Sequence, residues 1–152
     1  MKAYTSVKFR ILLIVFILTL NSCSKNSYEI SYDLTGNWKV VYYLDNGKKI
    51  TKTEDNTWLN VNNGDITASF TDPDLEGKGT ISGTRVSNGY YGSYIILGNN
   101  EISFSQVIQT EINEPSWTDL FNLGAINHYQ IRNSILLLYY NNNKVIIALE
   151  RV

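Results

Sequence analysis

One residue of this 152-residue chain has a chemistry that its neighbours specify. Cys23, the only cysteine, follows Leu20-Asn21-Ser22. That run fits a lipobox, in which a small residue precedes a cysteine whose thiol is acylated and which then becomes the mature N-terminus. Ahead of it, Lys2, Lys8 and Arg10 make a positive start, and Ile11 to Leu20 is an almost unbroken apolar run. About ten residues is too short to span a bilayer as a mature helix, so the run reads as the h-region of a signal peptide. Residues 1–22 are therefore expected to be a lipoprotein signal peptide and Cys23 the lipidation site. A diacylglycerol with an amide-linked acyl chain such as palmitate exceeds the two signals that stable anchoring needs.

Other reactive residue types are thinly spread. His128 is the single histidine. With no spare cysteine it cannot build a structural zinc site or a Cys-His nucleophile pair. A Ser-His-Asp triad would have to use it, yet no Gly-x-Ser-x-Gly elbow occurs. His128 is expected on the outer face or rim of a strand. Asp72-Pro73-Asp74-Leu75-Glu76-Gly77 resembles the first half of a calcium loop, but Gly83 falls where the closing Glu should be. Nothing sets two carboxylates at a fixed spacing across a cleft, as glycoside hydrolysis would require. The expectation is a protein without catalytic residues, metal or cofactor.

Aromatic residues offer binding rather than catalysis. Trp38, Tyr42, Trp58, Tyr90, Tyr91, Tyr94 and Trp117 could line a ligand cavity. The plainer reading is that they fill the interior of a small barrel, which leaves little room for anything else. Tyr42-Tyr43 and Tyr139-Tyr140 each turn at least one ring outward, where a partner could meet it.

The elements that must position these residues are mostly strands. Residues 23–32 are short and polar, a tether, and a single domain is expected over 33–152. Asn37 to Leu44 alternates, placing Trp38, Val40, Tyr42 and Leu44 on one face. Asp45-Asn46-Gly47 is a turn, and Lys48 to Asp55 is loop or edge. Thr57–Val61 and Asp65–Phe70 are expected to pair around Asn62-Asn63-Gly64. Gly79–Val86 is a further strand. Tyr94–Leu97 and Glu101–Ile108 form a hairpin on Gly98-Asn99-Asn100, with Ile102, Phe104 and Ile108 sharing a face. Pro115 to Leu123 is the one expected helix, with Trp117, Leu120 and Phe121 as its apolar stripe. Three strands close the chain, Ile126–Arg132, Ser134–Tyr140 and Lys144–Val152. The 18 asparagines sit largely at the turns between these runs. The fold class is thus mainly β (α+β), an antiparallel, partly open barrel or roll with one helix packed across it.

The region from Ser87 onward resembles the signature of the META domain, found in HslJ-type bacterial lipoproteins. Ser87-Asn88-x-Tyr90-x-Gly92-x-Tyr94, then Ile102-x-Phe104 and Thr110, carry the likeness, which continues through Leu120-Phe121, Tyr129-x-Ile131 and Leu136-x-Leu138. In the first half only Gly36-x-Trp38 shares it. The family's paired cysteines are replaced here, the first by Ser87 and the second by Glu114 or a neighbour. The resemblance implies a barrel with a helix across it and an association with heat shock and antibiotic tolerance. A small lipocalin-like carrier of a lipid or other apolar ligand, which also begins with a Gly-x-Trp strand, is the alternative.

Charge narrows the partners. Three of the 13 basic residues leave with the signal, so 10 face 14 acids and the mature chain is near −4. Such a surface disfavours nucleic acid. The expected partners are the membrane, through the lipid anchor, and an envelope protein or apolar ligand. No Asp follows Cys23, which by analogy with enteric bacteria points to the outer membrane of a Gram-negative cell.

Overall fold

Trp38 and Val40 alternate with Asn37 and Lys39 at the start of β1 (Gly36–Asp45), the strand on which the whole sheet is hung. The computed structural model describes residues 34–152. The signal segment 1–22, Cys23 and the tether 23–32 lie outside the described residues. Along one side β1 pairs with β9 (Val145–Arg151). On the other it pairs twice, through its C-terminal half with β2 (Lys48–Thr51) and through its N-terminal half with β3 (Thr67–Phe70). From β3 the sheet runs through β4 (Lys78–Arg85), β5 (Asn88–Gly98), β6 (Glu101–Gln109), β7 (His128–Arg132) and β8 (Ile135–Tyr140) to β9. Each neighbouring pair is antiparallel. The β1–β9 pairing closes the ring, so eight strands form the barrel and β2 is a short flap outside it. Closure removes most of the free edges that would otherwise invite pairing with another chain.

The opening expected in the barrel survives as a seam. β6 and β7 are in register only at Glu101 and His128. Two further bonds hold them, Ile102 N–H to the Asn127 carbonyl (3.2 Å) and Tyr129 N–H to the Asn100 carbonyl (2.9 Å). Above that point β6 has no strand on its β7 side, and residues 110–127 cross there instead. This crossing segment is the plug.

Two bulges redirect side chains. In β1 the register slips between Val40 and Tyr42, and the extra residue reverses the alternation. Tyr43 therefore points into the barrel, fully buried, while Tyr42 lies on the outside with Lys49 Nζ 4.2 Å from its ring centre. The expected inward Tyr42 is corrected on that ground. In β6, Gln106 has a left-handed φ of 52°, and the register shifts opposite Gly92. A side chain at Gly92 would set its Cβ 3.0 Å from Val107 Cγ2 and 3.1 Å from Val107 Cα, so glycine lets the bulge sit down. The same shift turns Ile108 out to 56% exposure, against the inward position that simple alternation gives it.

Two expected elements take other forms. Thr57–Val61 is not a strand, because β2 and β3 already occupy the one edge of β1 it could join. It winds instead through consecutive turns, with Val61 N–H bonding the Trp58 carbonyl and Gly64 N–H the Val61 carbonyl. In the plug, the helical segment is shorter than Pro115–Leu123: two single 3₁₀ turns, Ser116–Thr118 and Leu123–Ala125. A nine-residue helix has little stability of its own, and the chain has to stretch across the barrel mouth. Trp117 and Phe121 are buried as the stripe requires, while Leu120 is only partly so.

Candidate binding site at the plugged end

Trp38, Phe70, Tyr94, Leu136, Leu138 and Ile147 pack the body of the barrel. Tyr94 donates to the Thr71 carbonyl (2.6 Å) and meets Phe70 edge-on at 5.5 Å. Trp38 donates to the Leu34 carbonyl (2.8 Å). These residues are core, and they leave the interior filled.

The plugged end is built differently. Trp117 packs edge-on against Tyr43 at 4.8 Å, and Phe121 tilts against Tyr90 at 5.6 Å. Tyr140 donates to the Leu120 carbonyl (2.8 Å), and Trp117 N–H reaches the Asn56 carbonyl (2.8 Å). Arg85, at the end of β4, donates through Nη2 to the Thr118 carbonyl (3.1 Å) and through Nη1 to Gln109 Oε1 (2.9 Å). It thereby ties the plug to both β4 and β6.

A cavity of about 360 Å³ opens where the plug leaves the seam uncovered. Arg85, Tyr90, Val107, Gln109, Asp119 and Phe121 are among its walls. Tyr90 also donates to the Thr67 carbonyl (2.7 Å), which fixes its ring. Burial raises the pKa of Tyr90 far above the usual phenol range, and Arg85 pulls weakly the other way. Tyr43 behaves alike for the same two reasons in the same order. Both rings stay neutral at any physiological pH, and Tyr90 acts as a wall and a hydrogen-bond donor. Beneath the plug, Tyr43 Oη and Trp117 Nε1 are buried without a hydrogen-bond partner.

Of the aromatics singled out in the sequence, Tyr90 and Trp117 meet at this end, and only Tyr90 lines the cavity. Trp38 and Tyr94 fill the interior, and each also borders a separate hollow, of about 440 and 390 Å³ respectively. Trp58 is 38% exposed on the loop after β2 and is not part of this cavity, and Tyr42 is outside. Asn88 and Thr110 come together as a lock. Asn88 Nδ2 donates to the Ile112 carbonyl (2.7 Å), and its Oδ1 accepts from Thr110 Oγ1 (2.8 Å) and Ile112 N–H (2.9 Å). Ser87 Oγ lies 3.0 Å from Glu114 Oε1, and the same carboxylate oxygen accepts from Asn88 N–H (2.8 Å). The lock pins the entry of the plug to the start of β5.

Outside this end the reactive residues serve the fold. His128 lies on the outer face with Tyr139 at 5.6 Å. Asp74 accepts from the backbone N–H groups of Glu76 and Lys78 (2.9 Å each), bonds that hold its carboxyl below the ordinary range. Asp72 accepts from Thr35 Oγ1 (2.7 Å). Among the described residues no group of three or more His, Cys, Asp or Glu is placed to hold a metal ion. No helix among them is long and apolar enough to cross a membrane.

No protein-family model matches the chain, and no curated protein matches its sequence. Among solved structures it is similar to a DUF4847 family protein from Bacteroides vulgatus ATCC 8482. The TM-score is 0.54 at 18% identity, covering 76% of this chain and 92% of that one. At that identity the likeness is one of fold. An eight-stranded antiparallel barrel is also the form in which lipocalins hold a small ligand, and the fold here is compatible with ligand binding.

Proposed function

We propose that the chain is a non-enzymatic envelope lipoprotein, anchored through Cys23 and acting by binding at its plugged end. The observation that carries this is the make-up of one cavity. The barrel body is packed with its own side chains, and of the hollows of about 360, 440 and 390 Å³ the one of 360 Å³ beside the plug joins an arginine to two buried aromatic rings. A long apolar cargo has no room in such an interior, which separates this reading from a lipid carrier. A compact ligand does have room, since small-molecule sites begin at about 300 Å³.

The anchor reading rests on the lipobox and the apolar run before it. The resemblance to the META domain supports an envelope role through Asn88, Tyr90, Gly92, Tyr94 and Thr110, and the outer membrane is the proposed location. In a Gram-negative host fed a clickable palmitate, the wild-type protein is expected to take the label and fractionate with the outer membrane. Cys23→Ala should do neither and should accumulate as unprocessed precursor. Equal labelling of the two proteins would sink the anchor.

A further inference from the structure

The cavity beside the plug holds an arginine with which no carboxylate pairs directly. Arg85 makes its two side-chain hydrogen bonds to neutral acceptors, Gln109 Oε1 and the Thr118 carbonyl. No carboxylate of the described residues comes within ion-pair reach of it. Its Nε is buried and has no partner. Arg85 is half-buried, and a guanidinium partly withdrawn from water with no direct counter-ion gains when an anion completes the site. The planar fork of Arg matches a carboxylate in two parallel bonds, a geometry that a lysine could not offer.

The rest of the wall sets the shape of that anion. Tyr90 and Phe121 line the same wall and pack against each other at a 56° tilt, so they add apolar ring surface beside Arg85. Asp119 is exposed on the same rim. A carboxylate there repels a second negative charge and so works against phosphate or a dicarboxylate. Tyr43 Oη and Trp117 Nε1, buried under the plug without partners, add two further unsatisfied polar groups at this end of the barrel.

We propose that this cavity binds a small monocarboxylate with an apolar body, its carboxylate taken by Arg85 and its body laid on Tyr90 and Phe121. The inference rests on the binding function above and names the ligand class. Loss of the carboxylate would leave the same body held only by the aromatic wall, so the charge supplies the selectivity.

Calorimetric titration of the full mature protein tests it with three probes: phenylacetate, its neutral counterpart 2-phenylethanol, and inorganic phosphate. Phenylacetate is expected to bind at least about tenfold more tightly than either of the others, the usual effect of a charge-assisted hydrogen bond. Arg85→Met should remove that advantage and leave 2-phenylethanol unchanged. Because Arg85 also holds the Thr118 carbonyl, its loss could unseat the plug, and a second variant avoids that difficulty. Asp119→Asn lies on the rim and should tighten phenylacetate about two- to threefold while admitting phosphate. Equal binding of phenylacetate and 2-phenylethanol, indifferent to both substitutions, would overturn the carboxylate assignment and leave a binding cavity. No binding of any probe to wild type or to Asp119→Asn would overturn the cavity as a ligand site altogether.

Discussion

Asn88→Ala should unfasten the plug. Asn88 is 3% exposed, and its side chain makes three hydrogen bonds, two to the backbone of Ile112 and one to Thr110 Oγ1. At about 1 kcal/mol each these sum to roughly 3 kcal/mol. Ile112 is 62% exposed, so water can replace part of what its amide and carbonyl lose. A net loss of about 2–3 kcal/mol is therefore expected. A barrel of this size unfolds with an entropy near 2.1 cal/mol/K per residue, so the midpoint should fall by roughly 8–12 °C. Urea titration followed by tryptophan fluorescence gives the free energy directly, and hydrogen exchange gives the location. The Ile112 amide, protected by Asn88 Oδ1, should exchange at the rate of an open loop in the variant. Thr110→Val, which removes only one of the three bonds, should cost about 1 kcal/mol. If Asn88→Ala costs less than about 0.5 kcal/mol, or no more than Thr110→Val, the lock is not what holds the plug.

Phe121→Ala should cost roughly 3–5 kcal/mol, as truncation of a buried aromatic does, while the partly exposed Leu120→Ala should cost about 1–2 kcal/mol; chemical denaturation that ranks them the other way would mean the plug is seated differently. Tyr43→Phe removes a buried hydroxyl that has no partner, so stability should stay level or rise by up to about 1 kcal/mol, and a clear loss in a thermal melt would reveal a partner for that oxygen. Asp74, whose carboxyl is held down by the backbone amides of Lys78 and Glu76, favours the 71–77 turn above the ordinary aspartate range and stops doing so as pH falls through its lowered value. Amide exchange at Lys78 should accordingly speed up only in that acid window, and an Asp74→Asn protein should show no such step.

What could be read in the chain was set by local rules. The hairpin across Gly98-Asn99-Asn100 and the three C-terminal strands follow from alternation plus turn residues that tolerate left-handed φ. Of the twelve non-glycine residues with positive φ among the described residues, nine are asparagines. Their scatter along the chain therefore marks where it reverses. The misplaced residues have nonlocal causes. Thr57–Val61 has the composition of a strand, but whether a strand edge is vacant depends on β2 and β3. The Pro115–Leu123 stripe has helical spacing, but the distance across the barrel mouth decides how tightly the chain can wind. Arg85 and Asp119 carried no local signal, because the contact that brings β4 to the plug joins residues 33 positions apart.

The two bulges that defeat simple alternation also make the site. The slip at Val40/Tyr42 brings Tyr43 inward, where it supports Trp117 and so seats the plug. The slip opposite Gly92 turns Ile108 outward and places Val107 and Gln109 along the cavity wall. A barrel with neither bulge would carry Tyr42 against the plug and a second apolar row along β6. Its end would then be another layer of core, closed to solutes. Irregular strands are expected beside binding sites for this reason, since a bulge re-aims a side chain without dismantling the sheet. Filling or deleting either bulge should therefore alter the cavity before it alters the fold. Gly92→Ala is the mildest such change. Its Cβ would press on Val107 at 3.0–3.1 Å, moving that wall while every strand keeps its partner.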